Sequence, residues 1–388
     1  MKKIKGISIV LLVLVLTACS KNGSSPDSIT NDTAKEYEEL QPLWKIREIT
    51  AGPDGFYYQI PQSDAGGLHV LTYFFDKATR EQYPVCSKPE CSHNDSSCMA
   101  SSGPDEYLTG IWYYKDKIYR TKNDKGNAWL CRMDTDGDNR EKLFEIGDAD
   151  LWGENLYYLY FRDEDVYITC THAGGGKAIF IRKRSLDGTH DEVVYENTDD
   201  KYIQDGLQWY SSKLYLKEYL TEEASENGAS STRLAAYDFN TRKTEYIELG
   251  NFSGYCFSKD ENYCFFYRIN DGLYKKNMKT GKENKIYESS DGNNNFNIRC
   301  IGEYLLLESM DKGRQPGVYV MDLDGNILNE IPRVSSVDSV IFGNENYIFQ
   351  RGVVDKEEGR VMTYMYIPMS EIESTKEWIW FDEDMSLL

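Results

Sequence analysis

Tyr263-Cys264-Phe265-Phe266-Tyr267-Arg268, then Ile269-Asn270-Asp271, then Gly272-Leu273-Tyr274-Lys275-Lys276-Asn277, then Met278-Lys279-Thr280-Gly281 run consecutively along the chain. An aromatic run meets a polar turn, a second run follows, and a turn rich in Asn, Lys, Thr and Gly closes it. Short segments rich in Tyr, Phe, Val, Ile and Leu and bounded by Gly, Asn and Asp read as strands and hairpins. Gly and Asn supply the positive φ that tight hairpins need.

The same unit recurs on both sides. Its apolar anchors are Phe56-Tyr57-Tyr58, Ile118-Tyr119, Val166-Tyr167-Ile168, Leu214-Tyr215-Leu216, Tyr263-Cys264-Phe265, Tyr304-Leu305-Leu306 and Tyr347-Ile348-Phe349. Their central residues lie 62, 48, 48, 49, 41 and 43 positions apart. A strand running into a turn follows each anchor, as in Cys131-Arg132-Met133-Asp134-Thr135-Asp136-Gly137 and Tyr319-Val320-Met321-Asp322-Leu323-Asp324-Gly325; the seventh, Tyr364 to Met369, is degenerate. Four strands in about 40–45 residues, repeated, is the pattern of a β-propeller blade. The expected fold is therefore an all-β propeller of seven blades, with six or eight as the alternative counts, over residues 37–388. Blades cannot bury their faces singly, so they form one domain. Leu40 to Ile49 is expected to lend an outer strand to the blade ending at Trp378-Ile379-Trp380-Phe381. Helical periodicity is confined to Ser370–Glu377.

The first residues read as an address. Lys2, Lys3 and Lys5 precede an apolar run from Ile7 to Leu16 broken only by Ser8. Ten residues are too few to span a hydrocarbon core about 30 Å thick and suit a signal-peptide core. Leu16-Thr17-Ala18-Cys19 resembles the lipobox of bacterial lipoproteins, which implies cleavage before Cys19 and lipid attachment to its thiol. The alternative is an ordinary signal peptide cut after Ala18. Residues 1–18 are thus expected to be the signal and 19–36, rich in Ser, Asn, Asp and Thr, a lipid-anchored flexible tether. Two acyl chains suffice for stable anchoring. The expected location is the outer face of the cytoplasmic membrane.

The 388 residues carry 44 Lys+Arg against 64 Asp+Glu, a net charge of −20, and mean hydropathy is −0.60. Loss of three lysines with the signal leaves 41 cations against 64 anions, a net −23. This balance disfavours nucleic acid, whose phosphates need clustered cations. Tyr (30) outnumbers Phe (15) and Trp (7) together. Most aromatic residues fall at strand positions and read as core.

The long first spacing reflects an insertion at 85–106. It contains Cys86, Cys91, His93 and Cys98 in the pattern Cys-x4-Cys-x-His-x4-Cys. Three of nine cysteines and one of four histidines lie within it. One reading is a tetrahedral Cys3His site, most naturally for zinc and structural because four protein ligands close it. A second is a disulfide among the three cysteines, suited to an exported protein. A third is a solvated loop with reduced thiols. The insertion, lipobox and Tyr-rich repeat together resemble a group of poorly characterised, propeller-like lipoproteins of anaerobic Gram-positive bacteria that carry such a segment after the first repeat. The resemblance covers most of the chain and implies fold and location; the group has no assigned reaction.

Other motifs are weaker. Asp134, Asp136 and Asp138, with Glu145, approximate a calcium loop, but Gly137 is not at the EF-hand position. The recurrence of Asp187-Gly188 and Asp324-Gly325 favours a hairpin turn. Gly174-Gly175-Gly176-Lys177 lacks the Walker spacing. Cys170-x-His172 has no third ligand nearby in sequence. Cys131, Cys256, Cys264 and Cys300 lie in apolar strands and read as small packing groups. No G-x-S-x-G elbow occurs, and no catalytic residue is assigned. Three functions remain open from the sequence: a binding or scaffolding module for a peptide, protein or glycan, a carbohydrate-active lyase or hydrolase, and a metal-handling protein using the Cys/His loop.

Overall fold

The computed structural model describes residues 49–64, 67–93, 98–101, 110–124, 126–148, 155–172, 179–197, 202–210, 213–220, 232–288, 296–309, 317–332, 341–356 and 359–381. The expected signal, lipobox and tether lie outside them.

Seven antiparallel sheets of four strands each follow one another along the chain. Blade 1 is β1 (Ile49–Ala51), β2 (Gly55–Asp64), β3 (Gly67–Asp76) and β4 (Gln82–Pro84). Blade 2 is β5 (Ile111–Tyr114), β6 (Lys117–Asp124), β7 (Asn127–Met133) and β8 (Glu141–Asp148). Blade 3 is β9 (Asn155–Arg162), β10 (Asp165–His172), β11 (Ile179–Ser185) and β12 (Asp191–Asn197). Blade 4 is β13 (Tyr202–Tyr210), β14 (Lys213–Leu220), β15 (Thr232–Asp238) and β16 (Lys243–Ile247). Blade 5 is β17 (Phe252–Phe257), β18 (Tyr263–Arg268), β19 (Gly272–Asn277) and β20 (Glu283–Tyr287). Blade 6 is β21 (Phe296–Ile301), β22 (Tyr304–Ser309), β23 (Gly317–Asp322) and β24 (Ile327–Pro332). Blade 7 is β25 (Ile341–Gly343), β26 (Tyr347–Lys356), β27 (Gly359–Pro368) and β28 (Ile379–Trp380). The expected seven-bladed propeller is the observed fold.

First strands of neighbouring blades approach one another, β1 with β5 and β17 with β21, which puts them nearest the axis and the fourth strands at the rim. Side chains bridge their edges. Thr50 Oγ1 accepts from Tyr113 N at 3.0 Å, Gln208 Nε2 donates to Tyr255 O at 2.8 Å, and Ser253 Oγ donates to Phe296 O at 3.0 Å. These bonds occupy backbone groups that an unpaired strand edge would leave bare.

The anchors are the second strands. Alternation along them sends successive side chains to opposite neighbours. Tyr57 packs with Ile118 and Met133 of blade 2, while Phe56 and Tyr58 pack with Phe349 and Tyr364 of blade 7. Apart from a small cluster under the 85–106 insertion, the apolar clusters thus lie between blades rather than inside one. The last three anchors are one residue out of register with the first four. Phe265, Leu306 and Phe349 face the next blade as Tyr57 does, whereas Cys264, Leu305 and Ile348 face the previous one.

Closure differs from expectation. Ile49 opens β1, the first strand of blade 1, and β28 is the outer strand of its own blade; among the described residues no strand is exchanged between the termini. Residues 40–48 lie outside those described. Blades 7 and 1 are joined instead by aromatic rings. Phe381 stacks on Phe75 at 4.3 Å and meets Tyr58 edge-on at 5.2 Å; Phe56 meets Phe349 edge-on at 4.6 Å. Phe381 N donates to Tyr364 O at 2.9 Å, which fixes the ring in the seam.

The stretch with helical periodicity forms only a 3-10 turn, Met369–Glu371. Asn329 of β24 donates to Ile372 O at 2.9 Å and Thr375 O at 2.7 Å. Carbonyls that a longer helix would use internally are thereby held by blade 6.

Phe381→Ala is expected to cost about 3–5 kcal/mol, the range for deleting a buried aromatic ring, read by urea denaturation. Ile327→Ala, at an exposed rim position, is expected to stay within about 0.5 kcal/mol of wild type.

Candidate metal centre

The 85–106 insertion is built into the outer strand of blade 1. β4 pairs with β3 from Phe75 to Tyr73. Val85 N continues the ladder, donating to Thr72 O at 2.9 Å. The chain then leaves the sheet at Cys86 and returns at Ala100, whose carbonyl accepts from Thr72 N at 2.9 Å; Leu71 bridges Ser101. The insertion is therefore a knuckle interrupting a strand, and Thr72 holds both its ends.

Within the knuckle one donor atom from each of Cys86, Cys91, His93 and Cys98 lies within 4.8 Å of all the others. Zinc–sulfur bonds near 2.3 Å in a tetrahedron put sulfurs roughly 3.8 Å apart, so small adjustments satisfy the geometry. Glu90 and His93 have φ of 60° and 57°. These two left-handed residues turn the chain back on itself. His93 Nδ1 is 3.2 Å from Cys98 Sγ, and Ala100 N donates to that sulfur at 3.3 Å. Leu71, Ala100 and Tyr73 form an apolar floor beneath the sulfurs.

The thiols differ. Burial pushes Cys98 up to about 11, against the N–H groups of Ala100 and Ser101. Burial also raises Cys86, but the N–H groups of Lys88 and Met99 and the neighbouring Cys91 and Cys98 side chains outweigh it, and the net direction is down. Cys86 is the readier thiolate. Cys98, almost wholly buried, gives up a proton when a dication supplies the countercharge. Among the described cysteines none is in a disulfide. A Cys3His group able to hold a metal is thus present, and it is the one such cluster among the described residues.

Blade 2 seats the knuckle. Ser87 Oγ donates to Asp138 Oδ1 at 2.6 Å, and Arg140 Nη1 donates to Ser101 O at 3.2 Å. A Cβ on Gly137, at φ +90°, would come within 2.5 Å of Val85 O, so only glycine permits this approach. Ser87, Asp138 and Arg140 were not distinguishable in sequence from ordinary turn residues.

The remaining motifs are structural. Asp134 pairs with Lys117 and accepts from Asn139 Nδ2 at 2.7 Å; Gly137 N donates to Asp134 O at 3.0 Å. The segment is a hairpin turn whose carboxylates are already engaged. Asp187, held down to about 2 by hydrogen bonds from Ser185 and Thr189, serves the same turn in blade 3. Cys131, Cys256 and Cys264 are buried and Cys300 half-buried; burial pushes Cys256 and Cys264 well up. Gly174–Lys177 and the side chains of Cys170 and His172 lie outside what is described.

No family model matches the chain. No curated protein matches it either. Solved structures do. An oligogalacturonate lyase in complex with manganese is 14% identical, with 86% of this chain and 84% of that one covered and a TM-score of 0.52. A prolyl endopeptidase is 9% identical over 91% of this chain, with a TM-score of 0.51; the match spans about half of that enzyme, 51%. An oligogalacturonate lyase from Vibrio parahaemolyticus is 13% identical, covering 68% and 74%, with a TM-score of 0.47. At these identities the likeness is one of fold.

Cys98→Ser is expected to abolish stoichiometric metal retention and to open residues 86–101 to limited proteolysis. The stability loss should be on the order of 3 kcal/mol, the scale of a cross-link closing a loop of this length, read by thermal and urea denaturation beside elemental analysis.

Proposed function

We propose that this chain is a lipid-anchored, extracytoplasmic binding module in which the Cys3His knuckle is a structural zinc clip. Its expected partner is a peptide, protein or glycan outside the cell. The observation that carries the reading is the placing of the knuckle. Its four donors form a closed set in the knuckle that interrupts the outer strand of blade 1, and Ser87 and Ser101 beside them are bonded into blade 2. A closed four-ligand set leaves no position for substrate, and a rim site stands away from the axis. Its chemistry maintains shape. Thiolates and imidazole suit zinc, while harder cations prefer oxygen.

The exported location is supported by the lipobox at Leu16-Thr17-Ala18-Cys19 and the polar tether behind it. The acidic chain, net −20 over all 388 residues, supports a partner other than nucleic acid. Resemblance to the propeller-like lipoproteins that carry a Cys-x4-Cys-x-His-x4-Cys segment agrees with all three features.

The test has two arms on the full chain. Cys19→Ala is expected to lose incorporation of labelled palmitate and to move from the membrane to the soluble fraction. On panels of immobilised peptides and glycans the intact chain is expected to show saturable binding with no release of cleaved product. Product release, or retention in the membrane by the Cys19 variant, would overturn the reading.

A further inference from the structure

The seam between blades 1 and 2 also carries buried polar side chains. Its inner layer is apolar. Tyr57 and Phe74 of blade 1 meet Ile118 and Met133 of blade 2. Residues directly opposite in antiparallel strands share a face. Two residues further along β2, Gln59 stands opposite Thr72, and two further along β6, Arg120 stands opposite Ile111 and Cys131. By the alternation of both strands, Gln59 and Arg120 point into the same seam as Tyr57 and Ile118. Gln59 is 1% and Arg120 6% exposed. The next residue of β6 that shares this face, Lys122, is half-buried, so Arg120 lies one layer in from solvent.

Arg120 Nη1 and Gln59 Oε1 are buried without a hydrogen-bond partner. Among the described residues no carboxylate pairs with Arg120. A buried cation without a countercharge is strongly unfavourable. One buried carboxylate at another seam is fully engaged. Glu218, fully buried between blades 3 and 4, accepts from Arg233 Nε at 2.7 Å, Asn197 Nδ2 at 3.1 Å and Tyr195 Oη at 3.3 Å. Among the described residues, Arg120 and Gln59 thus leave one buried donor and one buried acceptor in the same seam, which an external anion bearing a hydroxyl would satisfy together.

We propose that this seam binds a carboxylate flanked by a hydroxyl, the arrangement found in hydroxy acids and sugar acids. Arg120 donates to the carboxylate, and Gln59 Oε1 accepts from the neighbouring hydroxyl. A planar guanidinium matches a carboxylate in fork geometry. Gln59 faces Thr72, whose N–H holds Ala100 of the knuckle, so the metal clip and the blade 1 wall of this site share one backbone position. The inference deepens the binding-module reading and rests on it.

The test titrates the full chain with glucuronate and lactate, with glucose and chloride as controls, following the unfolding temperature and heat of binding. Glucuronate and lactate are expected to stabilise wild type saturably, and glucose and chloride to do nothing. Arg120→Met is expected to fold, to melt at or above the wild-type temperature without ligand, and to lose affinity about ten-fold or more, the scale of one charge-assisted hydrogen bond. Arg120→Lys is expected to retain part of the response and reports on the charge if the Met variant does not fold. A wild-type chain indifferent to both acids, an equal response to chloride, or an undiminished response in Arg120→Met would overturn the proposal. Saturable binding of some other panel peptide or glycan alongside that result would defeat this inference alone and leave the binding-module reading standing.

Discussion

A four-stranded blade has two apolar faces and no means of burying either by itself. The seam between blades is therefore the interaction on which this molecule depends. Tyr57, Tyr119, Tyr167 and Tyr215 serve one face of their sheets, and Phe56, Ile118, Val166 and Leu214 serve the other. The ring stands only when its last seam is filled. Phe381 does this without strand exchange, stacking on Phe75 and held by Tyr364 O. Stacked and edge-on rings add to area burial at such a contact.

The next seam round the ring, between blades 1 and 2, departs from the apolar rule. Beyond its layer of Tyr57, Phe74, Ile118 and Met133 it carries Gln59, Thr72 and Arg120, all buried. At its rim the outer strand of blade 1 breaks open into the Cys3His knuckle, and Ser87, Asp138, Arg140 and Gly137 hold the knuckle to blade 2. A metal held by Cys86, Cys91, His93 and Cys98 would supply there the cross-link that an interrupted strand lacks. The fold thus places its one thiol and imidazole cluster, among the described residues, where its repeat is least regular.

Much of this was legible in the sequence. Seven anchors and their turns marked the blades because strand period and Gly/Asn/Asp turns are local signals. The ligand set was legible because three thiols and an imidazole crowd into thirteen residues, a density of soft donors that suits a metal. What was not legible depended on pairing partners. The one-residue offset of Cys264, Leu305 and Ile348 is invisible when both faces of a strand are apolar. Closure by Phe381 rather than by a borrowed strand depends on contacts across the whole chain. The sequence shows 85–106 as an insertion but not that it interrupts β4, since only Thr72 reveals that Ala100 resumes the strand. Arg120 and Gln59 read as ordinary strand residues, and only a buried polar atom on each, without a partner among the described residues, distinguishes them.

The central claim is that the knuckle is a closed Cys3His metal clip. X-ray absorption at the zinc K-edge on the purified full chain tests it most directly. The account predicts one zinc per chain with three sulfur neighbours near 2.3 Å and one nitrogen near 2.0–2.1 Å. A first shell of oxygens, or a metal-free chain with a disulfide joining two of Cys86, Cys91 and Cys98, would contradict it.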